Sequence, residues 1–457
     1  MASIIKRKSK YSVIYYYIDS NGEKRQRWET YDSHKEALKR KAEVEYQINE
    51  GTFIPPTEQT VKGFLASFVS LYGENKWGVS AYDTNVRLID QYINPLIGDE
   101  PIQNINTRFV DKLYKELEKT KAVKTKYHKP KTEYVTAKTI EKIHKLLSCA
   151  FKQAVRWELL PKNPFELAMV PKTTYKKRDI WTAEMIRTAL NTCRDSKLYI
   201  AMNLSFACSL RVGEILGLTW DNVHISEAEI AADDAHVIVE KELERVSKNA
   251  IEILTKKDIL FSFPTILSNT STRLVLKTPK TESSIRKVWL PKTVAYILRE
   301  WKNSQEELKA FLGDEYTDYN LVIALPNGRP CENRVLQKDF GDLKKEAELP
   351  NVVFHSLRHS STTYKLKLNH GDLKATQGDT GHAQVDMITE VYSHILDEDR
   401  KVNAQKFEAA FYSNPDLREV RPPKEDSKLD IQTLVFQLQS NPELATALAQ
   451  ILNNQKV

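Results

Sequence analysis

Cysteine is scarce in this 457-residue chain: Cys149, Cys193, Cys208 and Cys331 are the only four, and no two form a CxxC pair. That spacing excludes a disulfide scaffold and a cysteine-based zinc site, and it suits a reducing cytoplasm. Long apolar runs are also missing. The longest, ILFSFPTIL from Ile259, is about half a membrane span and carries a proline, so no segment is expected to cross a bilayer. The opening MASIIKRKSK leads into strand-like sequence rather than the apolar core of an export signal. No GxxxxGK[ST] loop cradles a nucleotide, and no acidic cluster has two-metal spacing, so neither cofactor nor metal is expected. Neither sign of charge dominates. A net charge of +7 with 28% charged residues is only mildly basic, so any nucleic-acid footprint should be local.

What is present is too long for one core and suggests about three domains. In residues 1–55, YSVIYYYI (11–18) and KRQRWETY (24–31) are strand-like around a DSNG turn. Ser33 with Glu36 three residues on forms a capping box that opens a helix. Lys6, Arg7, Lys8, Lys10, Lys24, Arg25 and Arg27 cluster along the strand segments, which fits a solvated face as well as a binding one. After the linker GTFIPPTEQ, residues 56–172 read as helical. Val61, Phe64, Leu65, Phe68 and Val69 share a face, and helices follow near 80–94, 107–119 and 137–159. Lys121, Lys124, Lys126, Lys129 and Lys131 fill one loop with a single carboxylate, a pattern that suits phosphate tracking, although most lysine runs are only solvated.

Residues 173–412 mix helix and strand: helices near 183–192 and 212–218, strands near 236–246, 273–278 and 286–290, then helices again. Segment 247–271 reads as an insertion between two strands that would otherwise form a compact hairpin, with Lys280 near its end. Residues 413–457 are a polar tether ending in two amphipathic helix candidates, LDIQTLVFQLQ and PELATALAQIL.

Five short segments carry chemistry: Arg211 in SLRVGEILGLTW, Lys280 in KTPKTESSIRK, His355 and Arg358 in FHSLRH, His382 in TGH, and Tyr392 in VYSH. A phosphodiester gathers negative charge in its transition state, and a guanidinium matches two of its oxygens and keeps its charge. His355 and Arg358, three apart on a helix, share a face. Taken singly, each has an ordinary explanation: a buried pair for Arg211 with Glu214, a solvated turn for Lys280, a structural turn for His382. His355 and His359 have metal-compatible spacing, but Ser356 stands where HExxH has its glutamate. Lys277 competes with Lys280.

In this order and wording the segments resemble the tyrosine recombinase (phage-type integrase) family. The resemblance implies a multidomain fold: a small α+β sheet-plus-helix domain for arm-type DNA sites (1–55), an all-α core-binding domain (56–172), a mixed α+β, mainly helical catalytic domain (173–412) and a tail (413–457). It makes Arg211, Lys280, His355, Arg358, His382 and Tyr392 catalytic, with Glu214 orienting the site. It further implies double-stranded DNA as partner, a homotetramer on that DNA, accessory DNA-bending or directionality proteins, and a 3′-phosphotyrosyl intermediate formed without metal or ATP. A type IB topoisomerase shares this chemistry, and a non-catalytic regulator could share the fold.

Overall fold

The computed structural model describes residues 2–380 apart from 19–21, 125–128, 174–178, 256–257, 266–268, 280–283 and 369–371. At the N-terminus, strands β1 (Ser3–Arg7), β2 (Lys10–Ile18) and β3 (Lys24–Tyr31) form an antiparallel sheet in that order. Successive side chains alternate across a strand, so Val13 and Tyr15 of β2 reach helix α1 (His34–Asn49) and pack with Ala37 and Val44. Ser33 caps α1 by accepting the Lys35 N–H at 3.2 Å, one residue short of the box expected with Glu36.

Beneath this sheet Glu29 accepts hydrogen bonds from Tyr15 Oη (2.5 Å), Tyr31 Oη (2.8 Å) and Arg40 Nε (2.7 Å). Burial alone would raise its pKa, but the donors outweigh it and hold the carboxyl down at about 2. A carboxylate held below its unfolded value stabilises the fold fully above that value, and the stabilisation is lost as pH falls through about 2. Glu29 should therefore contribute roughly 2–3 kcal/mol near neutrality, and the sheet should open as pH drops from about 5 to about 2. Hydrogen exchange of the full chain across that range checks this. E29Q should flatten the acid response of residues 11–17 and 24–31, and matching profiles for the two proteins would refute the assignment.

Next comes a helical layer. Helix α2 (Val61–Phe68) continues through one π turn into α3 (Glu74–Lys76), and α4 (Val79–Leu88) does the same into α5 (Asn94–Ile97). Helices α6 (Thr107–Lys119) and α7 (Ala137–Arg156) complete it. Thr60, Asn106 and Thr136 cap α2, α6 and α7 by accepting the third amide in. Val110, Leu113, Tyr114 and Leu117 sit at helical spacing on the buried face of α6. Phe64, Phe68, Phe151 and Phe165 form the aromatic centre, each buried ring contributing about 1.5–3 kcal/mol.

The remaining described chain is built on α8 (Ala183–Thr192), α9 (Ser196–Ala207), α10 (Val212–Leu216), β4 (Val223–His224), α11 (Glu227–Ala231), β5 (His236–Val239) and β6 (Glu242–Ser247). It continues through α12 (Lys248–Ile253), β7 (Ile259–Ser262), β8 (Thr272–Lys277), β9 (Arg286–Trp289), α13 (Lys292–Leu312), α14 (Asn333–Glu346), α15 (His355–Leu368) and α16 (Leu373–Thr380). Helix α9 buries residues on nearly every side and forms the centre of this core. Two three-stranded sheets flank it, ordered β4-β5-β9 and β6-β8-β7. The single strand expected over 236–246 is thus two strands in different sheets, broken at Glu240–Lys241. Alternation along a strand reports burial, not which partner it pairs with.

Strands β6 and β8 do form the expected hairpin pair, in register from Glu242↔Lys277 to Ser247↔Thr272. The 247–271 insertion adds β7 to the far edge of β8. Its helix α12 packs Ala250 and Ile251 against Val79 and Tyr82 of α4, so the insertion braces the helical layer against the sheet. Gly217, at the end of α10, lies so close to β6 that a Cβ there would come within 2.7 Å of the Leu243 amide nitrogen, which explains the glycine that closes the LRVGEILG segment. Among the described residues no helix is long and apolar enough to cross a membrane.

Candidate active site

Arg211 is the N-cap of α10, and its extended backbone (φ −75°, ψ 152°) turns its own amide toward the helix it opens. That amide donates to Glu214 Oε2 at 2.8 Å, and Arg211 Nη1 donates to Oε1 at 2.7 Å. Arg286, the first residue of β9, grips the same carboxylate from the other side, Nη1 to Oε1 at 3.2 Å and Nη2 to Oε2 at 3.0 Å. The Glu214 and Arg286 side chains are 1% and 6% exposed, whereas that of Arg211 is 32% exposed. Burial pushes the Glu214 pKa up, but the Arg286 and Arg211 charges and hydrogen bonds pull it below the usual carboxylate range.

Arg358 completes the group from α15. It is 1% exposed, and its guanidinium donates Nη1 to the Ser209 carbonyl and Nη2 to the Thr380 carbonyl. Ser209, two residues before Arg211, sits in the left-handed region (φ 55°), which costs a non-glycine residue energy. Its hydroxyl pairs with that of Ser361 at 2.6 Å, so contacts on both its carbonyl and its side chain hold the turn. Burial, and then the Arg211 charge, drag the Arg358 pKa down to about 9. Three guanidiniums around one carboxylate leave net positive charge, and the partly exposed edge of Arg211 can offer it to an anion.

His355 opens α15 one turn before Arg358, half-buried, with its ring centroid 4.7 Å from that of His359 and nearly perpendicular to it. Among the described residues no group of three His, Cys, Asp or Glu side chains could hold a metal ion. Lys277, the rival of Lys280, is engaged elsewhere: Glu242 (3.0 Å) and Glu244 (2.6 Å) flank its ammonium. Burial opposes its charge, but those two carboxylates outweigh it and raise its pKa. The structure therefore brings together Arg211 and Glu214, with Arg358 in electrostatic reach of both, and places His355 one turn before Arg358 on α15. Lys280, His382 and Tyr392, like Lys126, lie outside the described residues.

Arg286 is the residue that sequence reasoning passed over. A signal existed, because Arg286 and the buried Val288 alternate onto one strand face in SSIRKVW. An arginine pointing with a core valine requires a buried acid.

The basic candidates divide by register. Ser12 pairs with Thr30 and Ile14 with Trp28, so those residues, Arg7 and Lys24 share the face of the N-terminal sheet away from α1. There Arg7 stacks on Trp28 and Lys24 on Tyr16, beside a shallow cleft of about 480 Å³ that Lys8 and Lys10 also line. Lys6, Arg25 and Arg27 are exposed but alternate onto the α1 side, with Val13 and Tyr15. Lys121, Lys124, Lys129 and Lys131 are exposed in the loop between α6 and α7, whose base is closed by a bridge between Lys121 and Tyr134. A second cleft, between α4 and α7, is lined by Trp77, Leu88 and Leu146 as well as by Thr84, Lys142 and Lys145.

The arginine cluster around Glu214 thus lies in a region of many helices and two small sheets, with the partly exposed Arg211 at its edge. The sequence pattern of the phage integrase family matches residues 264–399. A XerC-like tyrosine recombinase from Caldanaerobacter subterraneus is 25% identical over 61% of this chain and 67% of its own length. The ICEBs1 integrase of Bacillus subtilis is 24% identical over 72% of this chain and 77% of its own. Among solved structures, the Tn1549 transposon integrase in complex with circular intermediate DNA covers 76% of this chain and 99% of its own, at 18% identity and a TM-score of 0.56, which establishes a shared fold. Together the family match over residues 264–399 and these two relatives support a tyrosine recombinase. The chain is a site-specific recombinase.

Proposed function

We propose that this recombinase integrates and excises a mobile element by cutting one DNA strand at a time through a phosphotyrosyl bond. The observation that carries the reading is the sharing of buried Glu214 between Arg211 and Arg286 with Arg358 alongside, a preorganised cationic site. In the proposed step Tyr392 Oη attacks phosphorus, the 5′-oxygen leaves, and a 3′-phosphotyrosyl bond forms. Arg211 and Arg358 neutralise the non-bridging oxygens, and His382 donates a hydrogen bond to the same phosphate. His355 handles the proton of the phenol. Lys280 protonates the departing 5′-oxygen, and the carboxylates around Lys277 favour Lys280 over it for this role. Attack by the 5′-hydroxyl of a partner strand reverses the step, so the bond energy is conserved and no ATP is consumed.

The solved relative holds circular intermediate DNA, and double-stranded DNA is the partner we assign here. Residues 1–55 would hold arm-type sites with Arg7, Lys24 and Trp28, while Lys6, Arg25 and Arg27 reach the backbone from the rim. Residues 56–172 would hold the core site with Lys121, Lys124, Lys126, Lys129 and Lys131. Residues 173–412 would cut, and the 413–457 tail would serve a homotetramer acting with accessory proteins in the cytoplasm. Incubation with a nicked duplex spanning the element's own end tests the reading. A covalent 3′-linked adduct supports it, whereas a 5′-linked adduct, or cleavage without any adduct, overturns it.

A further inference from the structure

We propose that Arg286 is a positioning residue for strand cleavage: by sharing the charge of Glu214, it leaves Arg211 turned toward the phosphate instead of neutralised by the carboxylate. The inference rests on Arg211 as a phosphate ligand. Each Glu214 oxygen receives one donor from Arg211 and one from Arg286. The carboxylate is thereby fixed in place, and Arg211 Nη1 is the guanidinium nitrogen seen bonded to it. Without Arg286, a buried acid would face Arg211 with no second cation on its far side. A lone pair of that kind draws its cation inward, because a buried carboxylate cannot be left half-satisfied.

Arg286 is too buried to take the phosphate itself, at 6% exposure against 32% for Arg211. It also ties this pair to the sheet. Its Nη1 donates to the Ser284 carbonyl at 2.9 Å, and its backbone pairs with Val239 of β5. The orientation of α10 and the start of β9 are therefore set by one side chain, across 72 residues of sequence.

A plain buried ion pair would stabilise the fold and do nothing more, so the test separates cleavage from stability. Single-turnover adduct formation on the nicked duplex is measured for wild type, R286M, E214Q and the double variant, with DNA affinity and thermal midpoint recorded for each. Should R286M not fold, R286Q, which keeps a donor to the carboxylate but not the charge, takes its place in the cycle. Replacing Arg286 should slow cleavage on the order of 10²-fold in the wild-type background, at DNA saturation and with the folded fraction intact. In the E214Q background the same change should cost only about threefold, because there is no charge left to share. Equal slowing in both backgrounds, or slowing explained by lost folding or lost DNA binding, overturns the proposal. If wild type makes no adduct, or R211A cleaves like wild type, the proposed chemistry or the Arg211 assignment fails instead.

Discussion

Tyr392→Phe should bind its DNA site with near wild-type affinity and form no covalent adduct on a nicked duplex. The change removes one oxygen and leaves ring volume and charge untouched, so little but the nucleophile is lost. A phenol of ordinary pKa, about 10, is almost wholly protonated at neutral pH and attacks poorly by itself. It becomes competent only where cations stabilise the phenolate and the crowded phosphorus together. In the function proposed here, the three arginines near Glu214 supply those cations. Phenylalanine has no atom to form the bond, so the loss should reach the detection limit, on the order of 10⁴-fold or more. Persistence of the adduct would move the nucleophile to another of the 20 tyrosines, and mass spectrometry of the linked peptide would say which.

Arg358→Ala should fail in two separable ways. The guanidinium, 1% exposed, holds the carbonyls of Ser209 and Thr380, which lie 149 and 22 residues from it in sequence. Removing it strands two buried acceptors at about 1–3 kcal/mol each and opens a cavity, so a loss of about 3–5 kcal/mol is expected. It also deletes a preorganised cation, and cleavage by the molecules that remain folded should fall on the order of 10³-fold. Arg358→Lys restores the charge but cannot reach both carbonyls from one ammonium, so it should recover part of the stability and little of the rate. Thermal denaturation and single-turnover cleavage, measured side by side, check both parts. An Arg358→Ala protein that melted with wild type and cleaved within tenfold of it would remove Arg358 from the phosphate site.

Local features were legible without coordinates. The turn of helix between His355 and Arg358, the strands at 11–18 and 24–31, and the amphipathic helices at 107–119 and 137–159 all follow from spacings of two to four residues. The orienting role of Glu214 follows from the family resemblance, whereas its spacing of three from Arg211 alone points only to a buried pair. Features that depended on pairing were not legible. The 236–246 strand divides between two sheets, and the basic residues of the N-terminal sheet divide between two faces, because register decides both. Arg286 offered a signal in its alternation with Val288, yet nothing within a few residues indicated which acid it would meet.

By itself, then, the amino-acid order determined which side chains could do phosphodiester chemistry, since cation, imidazole and phenol are properties of single residues and of their neighbours within a helical turn. Tertiary structure alone decided how the charges are shared. Arg286 reaches Glu214 across 72 positions, and Arg358 reaches the left-handed turn at Ser209 across 149. Contacts that distant are set by how helices pack on strands and by which strands pair. Those choices minimise the energy of the whole core, so no local stretch of the chain encodes them.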